Sequence, residues 1–203
     1  METLIAESLE KSYSYSEYRN HISQLLLDGL STGDTQSEDL THYSSLNEVR
    51  MNRLDRTIKV TLEISERLKK INRSYILLVI TEGWCGDAAQ LVPIMDKMAA
   101  ENDLLDLRLV LRDENDALMT QFLTNGSRSI PKLVLLDAET NAVLGSWGPR
   151  PKGAAQLIKD YKEKFGVINE EAKVELQKWY LHDKGMSTME EITTMLEENA
   201  QTK

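Results

Sequence analysis

Cysteine is nearly absent: Cys85 is the only one in 203 residues, so no disulfide can form within the chain and packing alone must hold the fold. Long apolar stretches are missing as well. The longest aliphatic run, Ile76-Leu77-Leu78-Val79-Ile80, falls far short of the roughly 20 residues a membrane helix needs. The first residues, METLIAESLEKS, carry no basic n-region and no apolar core, so no secretory signal is expected. These absences point to a protein of a reducing cytoplasm. Excess positive charge is lacking too: the net charge of −9 argues against general attraction to nucleic acid or an anionic membrane. His21, His42 and His182 are scattered and, with one cysteine, give no metal-ligand spacing. No phosphate-cradling glycine loop, internal repeat or low-complexity segment occurs, and no cofactor is expected.

What is present centres on Tyr75 to Pro93, YILLVITEGWCGDAAQLVP. The β-branched run at its start is too short for a helix and reads as a buried strand. Thr81-Glu82-Gly83 ends it, and Leu91, Met95 and Met98 then recur at helical spacing, so Cys85 falls where a helix begins. Free backbone N–H groups and the positive end of the helix dipole face a thiol placed there. They lower its pKa from about 8.5 towards neutrality.

Trp84-Cys85-Gly86 after an apolar strand, with Pro93 eight residues past the cysteine, resembles the active site of the thioredoxin superfamily, Trp-Cys-Gly-Pro-Cys. Ser129-Ile130-Pro131-Lys132-Leu133-Val134-Leu135-Leu136-Asp137 is similar to the superfamily's segment in which a cis-proline opens a strand opposite the cysteine. The resemblance covers about residues 72–165. Within the superfamily, Trp-Cys-Gly-Asp-Ala looks most like a group of bacterial thioredoxin-like proteins with a helical N-terminal extension. Two departures matter. Ala88 stands where thioredoxin has its resolving cysteine, with Asp87 in place of the proline before it. The superfamily's buried carboxylate would fall at Val79.

The implied architecture is α/β: a thioredoxin-like central mixed sheet flanked by helices, with added helices at both ends. The expected organisation is a helical extension over 1–71, the thioredoxin-like domain over 72–165 and a C-terminal helical extension over 166–203. Apolar spacing predicts helices over 14–28 and 39–70, the second with a break. Tyr43 and Leu46 are expected to pack on the core. Strands are expected near 76–80 and 104–111, then a hairpin of 132–136 with 142–147. Helices are expected over 117–123, 153–165 and 169–182, with a last one opened by a capping box, Ser187-Thr188-Met189-Glu190.

A single thiol can form a mixed disulfide but cannot resolve it within the chain. The leading expectation is therefore a monothiol protein exchanging disulfides through Cys85, with protein disulfides or low-molecular-weight thiols as partners. Trp84, Gly86, Asp87, Arg128, Ile130 and Pro131 are the expected substrate-binding residues. Arg128 would offset the negative charges of Asp87 and Glu82, and the Ile130 backbone would pair with an extended substrate. Taken alone, a lone cysteine is a small inert hydrophobe, which leaves a second expectation: a redox-inactive binding module whose groove lies at Trp84, Pro131 and Trp147. Cluster binding in the manner of monothiol glutaredoxins ranks last, since their Cys-Gly-Phe-Ser motif is matched only at Cys85 and Gly86. Arg50, Arg53 and Arg56 recur every three residues. They form either a solvated face or a site for an anionic partner.

Overall fold

The computed structural model describes residues 1–200. Four helices come first: α1 (Glu2–Glu10), α2 (Tyr15–Leu27), α3 (Glu38–Thr57) and α4 (Leu62–Lys69). Ser14 opens α2 in a reciprocal capping box with Glu17, and the hydroxyls of Ser37 and Thr61 cap α3 and α4. Each satisfies a backbone N–H that the first helical turn leaves unpaired. The break expected within 39–70 comes at Ile58, whose extended backbone ends α3. α1 was not legible in the sequence, because Ile5 is its one fully buried apolar side chain.

The remainder runs β1 (Tyr75–Thr81), α5 (Gly86–Ala99), β2 (Leu105–Leu111), α6 (Asp116–Gln121), β3 (Lys132–Asp137), β4 (Val143–Trp147), α7 (Lys152–Phe165), α8 (Glu170–Asp183) and α9 (Met186–Ala200). The strands form a mixed sheet in the order β2-β1-β3-β4. β1 lies parallel to β2, with Val79 opposite Leu109, and antiparallel to β3, with Val79 opposite Leu133. Leu77, Leu78, Val79 and Ile80 are all fully buried, as a central strand covered on both faces requires. The outer edge of β2 is blunted by Tyr13, which exchanges two backbone hydrogen bonds with Leu109 at 2.8 and 2.9 Å. No helix among the described residues is long and apolar enough to cross a membrane.

α5 buries Leu91, Met95 and Met98, and α9 adds Met189, Ile192 and Leu196 to the same core. The last helix differs from expectation at its start. It begins at Met186, and Ser187 lies inside its first turn, giving its N–H and hydroxyl to Asp183 at the end of α8. Tyr43 and Leu46 also depart from expectation: they are 36% and 39% exposed. The buried face of α3 is instead Ser44, Asn47, Met51 and Leu54, because Asn47 answers the Gly83 carbonyl in the turn after β1 and Ser44 shares a hydrogen bond with the Ser31 hydroxyl.

Candidate functional site

That turn, Glu82-Gly83-Trp84-Cys85, is held by the N-terminal helices. The Gly83 N–H donates to Thr32 Oγ1 at 2.9 Å, and its carbonyl accepts from Asn47 Nδ2 at 2.9 Å. A Cβ on Gly83 would lie 3.1 Å from Ile22 Cγ1 and 3.3 Å from Thr32 Cγ2, so any side chain there would have to push both aside. Trp84 carries the Arg112 guanidinium over its ring, 4.7 Å from the centroid.

Cys85 is the N-cap residue of α5. Its Sγ accepts from the Ala88 N–H at 3.5 Å and donates to the Ile130 carbonyl at 3.4 Å. The residue is only 8% exposed. The expected lowering of its pKa does not occur. Burial pushes the thiol up to about 12, Asp87 adds to the rise, and the Ala88 and Asp87 N–H groups and the more distant Arg150 only partly offset it. The helix end supplies the field that the sequence promised, but desolvation outweighs it.

Asp87, in the first turn of α5, is buried and fully engaged. Its Oδ2 pairs with Arg150 Nη2 at 2.5 Å, and its Oδ1 accepts from Tyr180 Oη at 2.8 Å. One carboxylate thus ties the start of α5 to the segment before α7 and to α8. Beside it Gln90 Nε2 donates to Gln177 Oε1 at 2.7 Å. Among the described residues no group of three or more His, Cys, Asp or Glu is placed to hold a metal ion.

α3 and α8 stand either side of Cys85 and enclose a cavity of about 900 Å³ above it. Leu46 and Val49 on α3 and Val174 and Leu181 on α8 form its apolar walls; Trp84, Cys85, Gly86 and Asp87 form the floor. Arg50 and Arg53 line it as well, whereas Arg56 turns back to the Asn52 carbonyl. Burial and the neighbouring Arg53 charge lower the Arg50 pKa.

Of the expected site residues, Trp84, Gly86 and Asp87 join Cys85 at the cavity, and Ile130 meets the sulfur from the opposite side. The Ile130–Pro131 peptide bond is cis. Ile130 is buried and its carbonyl is already engaged by the thiol, and Pro131 is buried beside it. Arg128 does not face the sulfur: it pairs with Asp116 at the start of α6. The cation beside Asp87 is Arg150. Trp147 lies away from the cavity, with its Nε1 donating to Glu191. Sequence reasoning passed over Arg150, Tyr180, Gln177 and Asn47. Only Arg150 carried a local signal, an arginine fixed between Pro149 and Pro151; the others arrive from distant helices.

The thioredoxin family's sequence profile matches residues 33–162, a span that includes α3 and the cavity floor. Two solved structures share the fold. A protein of unknown function from Pseudomonas aeruginosa superposes with a TM-score of 0.59 at 19% identity, covering 91% of this chain and 98% of its own. An HIV epitope-scaffold gives 0.56, with the same identity and the same coverage of both chains. No curated protein matches the sequence.

Proposed function

The chain belongs to the thioredoxin family, and from that premise we propose that it acts as a binding module, holding a ligand in the cavity between α3 and α8 with Cys85 as a neutral thiol in its floor. The observation that carries this reading is the state of the sulfur. It is nearly buried and hydrogen-bonded on both sides, an environment that favours the neutral thiol. A thiol pushed up to about 12 is almost entirely protonated at neutral pH, and the thiolate is the nucleophile. Ala88 in the resolving position removes the second sulfur that rapid turnover uses.

Iodoacetamide alkylation of the intact protein, followed from pH 6 to pH 10, tests this. The expected rate is far below that of free cysteine and still rising at the alkaline end. A plateau with an apparent pKa near neutrality overturns the reading.

Monothiol exchange is the second reading, and one observation favours it: Cys85 opens onto the cavity, with a backbone N–H aimed at its sulfur. In that reaction the thiolate attacks one sulfur of a partner disulfide and the other sulfur leaves as a thiolate. An external protein or low-molecular-weight thiol then releases Cys85. Disulfide-linked partners trapped on the native protein and lost in Cys85→Ser would support it. Partners retained unchanged in Cys85→Ser support the binding module.

A further inference from the structure

The cavity is long, apolar along its sides and cationic at one end. Its α3 wall runs from Leu40 to Arg53 and its α8 wall from Glu170 to Leu181, which at helical rise is a trough roughly 16–20 Å long. The volume, about 900 Å³, lies within the range of about 300–1,000 Å³ typical of small-molecule sites. Val49, Val174 and Leu181 are each more than half exposed, large apolar side chains turned into a groove that nothing in the fold fills.

The two ends of the trough differ. At one, Lys173 stands over the Tyr43 ring, 5.4 Å from its centroid, and is already paired with Glu170. At the other, Arg50 and Gln177 meet over Gly86: a Cβ added there would lie 3.6 Å from Arg50 Nη1 and 3.9 Å from Gln177 Nε2. Arg50 is half-buried and donates to Asn47 Oδ1 at 2.7 Å. Among the described residues, neither it nor Arg53 has a carboxylate in ion-pairing distance. Arg150 Nε, in the same lining, is buried without a partner. The lining holds five cationic residues against two acidic ones, in a chain whose net charge is −9. A half-buried guanidinium without an anion is a costly arrangement unless a ligand supplies one.

Resting on the binding-module reading, we propose that the occupant is a fatty acid, a single carboxylate on an aliphatic chain. The carboxylate sits at Arg50 and Arg53, where the planar guanidinium fork matches two oxygens. The chain lies along Leu46, Val49 and Val174 towards Tyr43.

Titration calorimetry of the full chain with decanoate and with 1-decanol, below the concentration at which either aggregates, tests the assignment. The same titrations are repeated on Arg50→Gln and Arg53→Gln. Wild type is expected to bind one decanoate at least about tenfold more tightly than decanol, the factor expected of a charge-assisted hydrogen bond. Arg50→Gln is expected to keep a cooperative melting transition, showing that it is folded, and to lose that preference. Equal binding of the acid and the alcohol, or unchanged decanoate affinity in Arg50→Gln, overturns the carboxylate assignment while leaving the cavity a binding site. Absence of binding by both probes, with Cys85 still slow to alkylate, overturns the fatty-acid proposal alone. The same absence with rapid alkylation near neutral pH overturns the binding-module reading too.

Discussion

Two carboxyl side chains lie within three residues of Cys85, and their surroundings set them apart. Asp87 is paired with Arg150 and accepts a hydrogen bond from Tyr180. Glu82 makes no ion pair among the described residues: it is fully buried, its Oε1 accepts the Asp113 N–H at 2.9 Å, and its Oε2 has no hydrogen-bond partner. Burial, with a smaller push from the Asp113 charge, raises its pKa from 4.5 to about 7 against the opposing effects of the Thr32 hydroxyl, the Asp113 N–H and the Arg112 charge. A raised folded-state pKa favours the protonated form. The stabilisation is therefore fully present below about pH 4.5 and lost as pH rises through about 7. Thermal melts should show the protein less stable at pH 8 than at pH 5 by on the order of 2–3 kcal/mol from this group. Glu82→Gln should flatten that slope, and an equally steep slope in the variant would remove Glu82 as its cause. The same competition between burial and a helix end explains why the Cys85 pKa moves up rather than down. A helix N-terminus can be recognised in a string of residues, whereas the depth at which it is buried cannot.

At the scale of elements, the Asp87 carboxylate joins three segments far apart in the chain: α5, the Gly148–Pro151 connection and α8. Its side chain is 9% exposed and that of Arg150 28%, so their interaction is little screened. Arg150→Ala leaves Asp87 with Tyr180 alone, and removal of one partner from such a buried pair costs about 3–5 kcal/mol. Urea unfolding should show that loss, and Asp87→Asn in the same chain should recover part of it by removing the unpaired charge. A loss under about 1 kcal/mol would place the pair among surface ion pairs. The strands and most helices were legible, since an apolar run between turn residues and side chains at helical spacing are local signals. The exceptions share a cause. α1 buries too little to leave a periodic trace, Ser187 imitates a cap while serving Asp183, and Tyr43 and Leu46 have the spacing of core residues but line a groove. Periodicity identifies an apolar face without saying what covers it.

For the molecule as a whole, the N-terminal helices are part of the site. Thr32 and Asn47 hold the turn before Cys85, Tyr13 covers the edge of β2, and α3 walls the cavity. A chain beginning at residue 72 is therefore expected to lose cooperative thermal unfolding and to associate through the bared β2 edge. A monomer with a sharp melting transition would show instead that the first 71 residues are dispensable for folding. The α/β class, the β1-to-α5 junction with its lone thiol and the absence of a second sulfur are all legible in the chain, because they depend on residue types and short-range spacing. The burial of the thiol, the placing of Arg150 rather than Arg128 beside Asp87, and the cavity between two helices over a hundred residues apart in the chain emerge only in the folded molecule. Desolvation and charge pairing depend on which distant segments meet, and that is settled only when the chain has packed.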